Sequence, residues 1–493
     1  MMQRTLFATA LVATLGLSAC SDAPDGSERA AKIPVTTDSK RALEYFEQGR
    51  ELADKIRFTD ARDYFLRAID EDPQFALAYL YLANNAVSAK EFFSSLKKAV
   101  FLADEVSEGE RHWILAQDAG NRGLPDAQLE HLQALIDLYP EDERGHSLLG
   151  GYYFGRQEWE LAIAQFQRAT AINQDFSQAY NMLGYANRAR GDYDGAEQAF
   201  QKYIELIPDE PNPYDSYAEL LMKVGRFDES IENYRKALAK NPQFVFSYVG
   251  IGNNQMFAGD FESARATFSD LTENARNNGE RRTAHFWTSV SHIFEDNAEA
   301  AVASAREMSA IAASDDDVAA MAGDTTFIGN IYLFSGALTE ALAEYRRGVE
   351  LAQVADVNDD VKETARRNLA YHEARVALFD GDQATAAARA AEFRKAAMEK
   401  GIASEIRRSH EIAGLLSLHQ GDPETALREL EQANAQDPVV VYLMAKAAFE
   451  LGDVERARSL AEKAAHFNQL TPNFALVKAR ADRLVALVDG EDA

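Results

Sequence analysis

Small and aromatic residues recur along the chain at intervals of 34 positions. One set of small residues, a second set of alanine or serine, and a third set of large aromatic residues all keep this spacing. The three sets are Gly150, Gly184, Ala218 and Gly252; Ala162, Ala196, Ser230 and Ala264; and Phe166, Phe200, Tyr234 and Phe268. A strict period of this length over a chain of 493 residues indicates a repeat array rather than two or three compact domains.

The residue types within one period predict two helices that pack against each other. Small residues allow the helices to approach closely, and the aromatic side chains are expected to fill the space between neighbouring units. Glycines fall near the predicted turn between the helices, where a left-handed backbone is often needed; they are Gly155, Gly191, Gly225 and Gly259. Proline cannot continue a helix, and prolines stand at five predicted unit ends, Pro73, Pro140, Pro208, Pro242 and Pro438.

This length and pattern resemble the tetratricopeptide repeat, a pair of antiparallel helices. The resemblance covers nearly all of residues 42–488. It implies an all-α fold, a right-handed α-solenoid of about eleven or twelve helix pairs, several of them degenerate, with a C-terminal capping helix. The predicted regions are an N-terminal array at 42–278, degenerate helical repeats at 279–406, a C-terminal pair at 407–471, and the capping helix with its tail at 472–493.

The first nineteen residues resemble a bacterial lipoprotein signal peptide. Arg4 precedes an apolar run that is too short to span a bilayer, and Leu17-Ser18-Ala19-Cys20 resembles a lipobox. The resemblance implies that Cys20, the single cysteine of the chain, is acylated and becomes the new N-terminus. Several acyl chains give stable membrane anchoring. A free structural thiol, or a plain secretory signal cleaved after Ala19, are the alternatives.

Residues 20–41 are predicted to hold the lipidated cysteine and a disordered tether, because they carry proline, glycine, charges and almost no large apolar residue. Ser21 follows the cysteine at the place where aspartate would be the usual inner-membrane retention signal in enteric-type sorting. We therefore expect an outer-membrane lipoprotein that faces the periplasm, with the inner membrane or the cell surface as alternatives.

The charge balance narrows the class of partner. With 51 basic and 79 acidic residues the formal net charge is −28. Such a charge repels nucleic acid and anionic lipid head groups. We therefore expect no nucleic-acid partner.

The sequence carries no catalytic motif that we can identify. It has no Gly-Lys dipeptide for a phosphate loop and no G-x-S-x-G elbow. His285 and His292 lie seven positions apart. One interpretation is a metal-binding pair, and the other is two histidines that face solvent or pack against neighbouring side chains. The acidic runs at 314–317 and 356–360 lack the order of a calcium loop and are expected to be solvated loops. We therefore expect no enzymatic activity, no bound metal and no cofactor apart from the covalent lipid on Cys20.

The resemblance also implies a binding groove, because the first helix of each unit lines the concave face of such a solenoid. The inward positions include Arg144 and Ser147. Ten further positions are taken as partner-binding residues: Gln178, Asn181, Tyr185, Arg188, Asp215, Glu219, Phe246, Asn253, Met256 and Phe257. Amides pair with an extended backbone, and methionine and aromatic faces adapt to side chains. The alternative is that these residues merely tolerate solvent on a helix face.

These features together predict a membrane-anchored scaffold or adaptor lipoprotein. It would bind other envelope proteins or peptides through its concave groove, in an assembly, secretion or polysaccharide-export complex. The alternative function is a peptide- or ligand-binding receptor, or a regulatory subunit, of the periplasm that uses the same groove.

Overall fold

The computed structural model describes residues 32–490, and this part of the chain is helical throughout. One 3-10 turn at Ala103–Glu105 accompanies the α-helices. In chain order these are α1 (Lys40–Asp54), α2 (Phe58–Glu71), α3 (Ala76–Asn84), α4 (Ala89–Phe101), α5 (Glu108–Asn121), α6 (Pro125–Leu138), α7 (Glu143–Gly155), α8 (Trp159–Ile172), α9 (Ser177–Arg190), α10 (Tyr193–Leu206), α11 (Asn212–Lys223), α12 (Phe227–Lys240), α13 (Val245–Phe257), α14 (Phe261–Asn274), α15 (Asn278–Phe294), α16 (Ala298–Ser314), α17 (Val318–Ser335), α18 (Leu338–Val354), α19 (Asp359–Asp380), α20 (Gln383–Lys400), α21 (Ala403–His419), α22 (Pro423–Leu430), α23 (Pro438–Glu450), α24 (Val454–Ala465) and α25 (Pro472–Val488).

Each odd-numbered helix packs on the even-numbered helix that follows it, and α25 closes the series. The odd-numbered helices up to α23 are called A helices here and the even-numbered ones B helices. Twelve A–B pairs and a final helix result within residues 32–490. The predicted α-solenoid is therefore confirmed. The predicted boundary after residue 406 falls inside α21, so that unit begins at Ala403.

The small and aromatic sets of the 34-residue period meet inside one unit. A Cβ atom added at Gly184 would lie 2.5 Å from the ring of Phe200, and one at Gly150 would lie 2.6 Å from the ring of Phe166. Both rings are fully buried. The aromatic side chain of the B helix thus lies directly on the glycine of its own A helix. It also fills the space toward the next unit, as expected, because a Cβ atom added at Gly250 of α13 would lie 2.0 Å from the ring of Tyr234.

The turn between the A and B helices is set by a left-handed residue followed by a capping residue. Gly191 has φ +89°, and the side chain of Asp192 then accepts a hydrogen bond from the Gly195 N–H at the start of α10. The predicted left-handed backbone holds for three of the four glycines. Gly155 lacks it because the turn comes two residues later, where Gln157 adopts φ +64°.

The weak repeat signal at 279–406 has a structural cause. The helices α15 to α20 have 17 to 22 residues each, against 12 to 14 in α7 to α14. Longer helices lengthen the unit beyond 34 residues, so the signature positions leave their register. The helix pair itself is kept, because α15·α16, α17·α18 and α19·α20 pack against each other.

The second half of the array lies alongside the first half. The Ala89 N–H donates to Asp317 at 2.8 Å, and the Arg122 guanidinium donates to Asp360 at 2.6 Å, over separations of 228 and 238 residues. The Lys223 ammonium donates to the Phe467 carbonyl at 2.6 Å, 244 residues away. These contacts join residues that are about seven units of 34 residues apart in the chain. One superhelical turn of the solenoid therefore stacks on the next.

These contacts correct the interpretation of the acidic runs. Asp317 is only 3% exposed, caps α17 through the Ala320 N–H and also contacts the other turn. Asp360 pairs with Arg122. The runs at 314–317 and 356–360 are therefore not simply solvated loops, since each supplies a carboxylate that joins the two turns.

The segment 32–39 is packed on the array, so the predicted disordered tether at 20–41 is wrong for these residues. Ile33 is 3% exposed. Its N–H donates to Asp142 at 2.7 Å, and its carbonyl accepts from Arg144 at 3.0 Å. The Thr36 N–H donates to Glu110 at 2.7 Å. These backbone bonds to α5 and α7 hold the segment, although its composition is polar. The predicted signal peptide and Cys20 lie outside the described residues.

No helix within residues 32–490 has both the length and the apolar character needed to cross a bilayer.

Candidate binding sites on the concave face

The predicted groove residues on α9, α11 and α13 form a closed polar network rather than an open surface. The Arg188 guanidinium donates to Glu219 at 2.9 Å, and the Tyr185 hydroxyl donates to the same carboxylate at 3.2 Å. Asp215, 3% exposed, accepts from the Ser247 hydroxyl at 2.7 Å. Burial, with the Glu219 charge nearby, raises the pKa of Asp215 well above its usual range, and burial likewise raises the pKa of Tyr185. These side chains satisfy one another.

The remaining predicted groove residues are buried or covered by other parts of the chain. Asn181 is 6% exposed, and Asn253 and Met256 are 1% and 2% exposed. The ring of Phe257 contacts that of Phe474 in α25, with 5.1 Å between the ring centroids. Phe246 is half-exposed beside Phe58 of α2. The concave face at α9 to α13 is therefore largely occupied by the chain itself, through contacts between neighbouring A helices and through α2 and α25.

One cavity opens on the concave face of the early units. This N-terminal cavity has a volume of about 550 Å³ and is lined by the A helices α5, α7 and α9, with contributions from α1, α3, α6 and the start of α21. Gln178, from the predicted groove, lines it, as do the inward positions Arg144 and Ser147. The volume lies in the range typical of ligand pockets, roughly 300–1,000 Å³.

The walls of the N-terminal cavity combine aromatic faces with hydrogen-bonding groups. Trp113 carries a buried Nε1–H that has no hydrogen-bond partner in the described structure. The Arg144 guanidinium lies 5.7 Å from the Trp113 ring and pairs with Asp142. Burial raises the pKa of Asp54, another lining residue, to about 6. Aromatic faces and unused donors of this kind suit an extended peptide segment.

The predicted groove did not include three residues that line this cavity, Trp113, Tyr81 and Gly151. Trp113 and Tyr81 belong to units at 76–141 that lost the signature positions, so the inward register was not carried to them. The A-helix register, extended upstream from Ser147, reaches α5. The sequence therefore did contain a signal for this part of the cavity.

A second cavity of about 640 Å³ lies in the later units and is not part of the predicted groove. This C-terminal cavity is lined by α17, α18, α19 and α21, by the ends of α23 and α25, and by Ala89 and Phe93 of the first superhelical turn. Its polar lining residues include Asn330, Asn368, His372, Arg375, Arg407, Arg408, Glu411, Asp437 and Asn473. It therefore concentrates charged groups in the part of the chain with the weakest repeat signal.

The candidate metal pair is not supported by the geometry. Among residues 32–490 no group of three potential His, Cys, Asp or Glu ligands converges on one point, at His285 and His292 or elsewhere. His292 lies 3.7 Å from Glu295, and burial lowers its pKa.

Comparisons with known proteins identify the repeat. Models of the tetratricopeptide repeat match residues 46–92, 115–176 and 152–211, residues 212–244, and residues 417–481. The chain contains tetratricopeptide repeats. The matched segments of this tetratricopeptide-repeat array lie outside 279–406, where the helices are longer. Tetratricopeptide repeats serve as scaffolds for protein–protein interaction, and the matched models describe a repeat and no catalytic domain.

The curated relatives are distant and mostly much longer. The chain is 24% identical over 218 residues to Tetratricopeptide repeat protein 37 of Xenopus laevis, a match that covers 43% of this chain and 14% of that protein. It is 24% identical over 199 residues to Protein POLLENLESS 3-LIKE 2 of Arabidopsis thaliana, which covers 37% of this chain and 46% of that one. The chain thus spans less than half the length of these relatives.

Solved structures with the same repeat are similar over part of the array. A tetratricopeptide repeat protein from Parabacteroides merdae is 15% identical, with a TM-score of 0.36, and the match covers 55% of this chain and 94% of that one. YrrB, described as having an unusual peptide-binding site, is 17% identical with a TM-score of 0.25, over 36% of this chain and 91% of that one.

Proposed function

We propose that this chain is a lipid-anchored scaffold of the bacterial envelope that binds an extended segment of a partner protein in the N-terminal cavity. The observation that carries the proposal is this cavity itself, because it is the place where predicted inward positions face free volume. Ser147 and Gln178 line it together with Trp113 and Tyr152. The A helices α9 to α13, by contrast, are occupied by the chain's own side chains.

The chemistry of the cavity favours a peptide segment. Gln117, Gln128 and Gln178 line it and can pair with backbone N–H and C=O groups of an extended chain. Trp113 offers an unused N–H donor beside an aromatic face. Buried aromatic anchors surrounded by polar groups are typical of the energetic centre of an interface.

The anchor would lie close to this site. Residues 32–36 are fastened to α5 and α7, two of the helices that line the N-terminal cavity. From Cys20 to Lys32 the chain can span at most roughly 40 Å. A lipid on Cys20 would therefore hold the N-terminal cavity near the membrane surface, with the outer membrane as the proposed location.

In-cell photo-crosslinking tests the site. A photoreactive residue at Ser147 or Gln178 is expected to capture one dominant envelope protein. The matched control is Gln198, an exposed glutamine on the B helix α10, which should not capture it. Gly151→Trp should abolish the crosslink, because Gly151 lines the cavity and an added Cβ there meets no atom within 4 Å. Equal capture from Gln198, or no capture at all, would refute the proposed site.

The anchor is tested separately. Metabolic labelling with a palmitate analogue is expected to label the wild-type protein and not the Cys20→Ser variant, which should leave the membrane fraction. An unlabelled wild-type protein would rule out the anchor and leave the peptide site standing, because the two readouts are independent.

A further inference from the structure

The C-terminal cavity contains a buried arginine that forms no direct ion pair. Arg375 is 8% exposed, and its guanidinium donates to the side-chain oxygen of Asn330 at 3.0 Å. The rings of Phe334 and Tyr371 lie 5.6 and 5.3 Å from the guanidinium carbon. Among residues 32–490 no carboxylate forms a salt bridge with it, and the charges of Glu411 and Asp437 act on it only from beyond contact distance. A buried charge whose counter-ions are not in contact with it is costly, so this arrangement favours an anionic group next to Arg375.

Two carboxylates line the same cavity and form no direct ion pair of their own. Glu411 accepts a hydrogen bond from the Tyr371 hydroxyl at 2.9 Å. Asp437 accepts from the Val439 N–H at 2.9 Å and from the Asn473 amide at 2.7 Å. Burial, and for Glu411 the nearby Asp437 charge, raises the pKa of both carboxyl groups, although the Arg375 and Arg408 charges act in the opposite direction from beyond contact distance. A cation in direct contact with these carboxyl groups would therefore stabilise their ionised form.

A further lining group also has an unused polar atom. The Nδ1 atom of His372 is buried and has no hydrogen-bond partner in the described structure, while its ring stacks on that of Tyr345 with 4.1 Å between the centroids. Burial, and the Arg375 and Arg408 charges, lower the pKa of His372 well below its usual range, so the ring is neutral at pH 7. It therefore offers a hydrogen bond to a ligand without adding a positive charge to those of the three arginines that line the cavity.

We propose that the C-terminal cavity binds a small zwitterion of the α-amino acid type. Its carboxylate would pair with Arg375, and its ammonium group would lie against Glu411 and Asp437. The guanidinium and the carboxylates line one cavity and act on each other without a direct ion pair, so a ligand that carries both charges can contact both. The two carboxylates disfavour a phosphate or a dicarboxylate, and the arginines disfavour a polyamine.

The size and the remaining walls of the cavity agree with this ligand class. Its volume of about 640 Å³ lies in the range of small-molecule sites. Ala322, Val349, Ala352 and Leu369 provide an apolar wall for the ligand side chain. Phe93 of α4 contributes a wall from the first superhelical turn. The site therefore exists only where the two turns are stacked, which also explains why no local sequence motif marks it.

The binding test uses the purified full-length chain. Thermal shift and calorimetric titration are run with the twenty L-amino acids and with L-Ala-L-Ala as a short-peptide probe. At least one probe is expected to raise the Tm by mass action. Its N-acetyl derivative and its amide should each bind at least tenfold more weakly, because each lacks one charge. Preference for the dipeptide would assign the site to short peptides, and preference for one free amino acid would assign it to that class.

Matched variants locate the binding site. Arg375→Met and Gly323→Trp should each abolish the thermal shift, because Gly323 lines the cavity and an added Cβ there meets no atom within 4 Å. Arg366→Met, an exposed arginine on the same helix α19, and Gly151→Trp in the N-terminal cavity should keep it. Circular dichroism checks that Arg375→Met folds, and Gly323→Trp tests the site without removing a buried charge.

Two results would overturn the proposal. One is the lack of any shift with all amino acids and the dipeptide at about 10 mM, far above the Kd of a functional site. The other is equal binding of the N-acetyl derivative, which would show that the two carboxylates do not hold an ammonium group. Neither result affects the peptide site, because crosslinking in the N-terminal cavity should persist in Gly323→Trp.

Discussion

The replacement of Phe474 by alanine tests whether the C-terminal helix holds the two superhelical turns together. Phe474 is fully buried in α25. Its ring lies 5.1 Å from that of Phe257 and 5.8 Å from that of Phe294, both at the ends of A helices of the central units. The neighbouring Ala475 packs on the core around Trp287 in α15. Phe474 is thus the centre of an aromatic contact between α25 and the concave face.

The expected cost follows from the burial of this ring. Phenylalanine buries roughly 100 Å² more apolar surface than alanine, which corresponds to about 2.5 kcal/mol at ~25 cal/mol per Å². A partly collapsed cavity adds to this, so the total should be about 3–5 kcal/mol. In a repeat array this loss stays mostly with the units that contact the residue.

Hydrogen exchange followed by mass spectrometry measures the effect locally. In Phe474→Ala the amides of α25 (Pro472–Val488) should exchange at least about a hundredfold faster, because a tenfold change corresponds to about 1.4 kcal/mol. The amides of α5 and α6 should be unchanged. Phe101→Ala is the matched control, since Phe101 is 77% exposed and a surface substitution should cost less than about 0.5 kcal/mol. Exchange in α25 within threefold of wild type would refute the role assigned to this contact.

Three further variants test the packing, the N-terminal cavity and the contact between turns. Gly250→Ala should lower the free energy of unfolding by about 1–3 kcal/mol, because the added Cβ would lie 2.0 Å from the Tyr234 ring. The control is Gly155→Ala, where an added Cβ meets no atom within 4 Å; in denaturant unfolding it should be neutral or stabilising. Asp54→Asn should raise the Tm at pH 8 but not at pH 4. The pKa of Asp54 in the folded chain is about 6, so the protonated carboxyl group stabilises the fold at low pH, and this contribution is lost as the pH rises through 6. Asp317→Ala should cost about 1–3 kcal/mol in thermal unfolding, because Asp317 accepts from the N–H groups of both Ala320 and Ala89.

Each of these variants has an outcome that contradicts the reasoning. Equal stability of the two glycine variants would show that the Tyr234 ring moves freely. A Tm difference for Asp54→Asn that is the same at both pH values would show that Asp54 titrates normally. A change in the free energy of unfolding below about 0.5 kcal/mol for Asp317→Ala would show that Asp317 contributes no more than an ordinary surface residue.

The interaction between neighbouring helices was readable from the sequence because it depends on nearby residues. The contact of Gly184 with Phe200 spans sixteen positions and repeats in several units, so the period revealed it. The same local rule predicted the helix pairs and the closing helix. It failed to show the long helices α15 to α20 as regular units, because a longer helix changes the period without changing the packing.

The binding surface was predicted less well, because it depends on residues far apart in the chain. The inward register led to Ser147 and Gln178, which line a cavity. It also led to Asn253 and Phe257, which the chain covers itself. The register of one helix specifies which side chains face the axis, and it carries no information about what stands opposite them.

The sequence by itself thus determined the repeat, a series of about eleven or twelve helix pairs and the register along each A helix, since each follows from spacing within about 34 residues. The tertiary structure alone decided which inward positions are open. Small rotations between units add up over about seven repeats, and their sum brings α25 onto α15 and Phe93 against the C-terminal cavity. No single repeat specifies that sum, so the open cavities and the unpaired charge of Arg375 emerge only from the assembled superhelix.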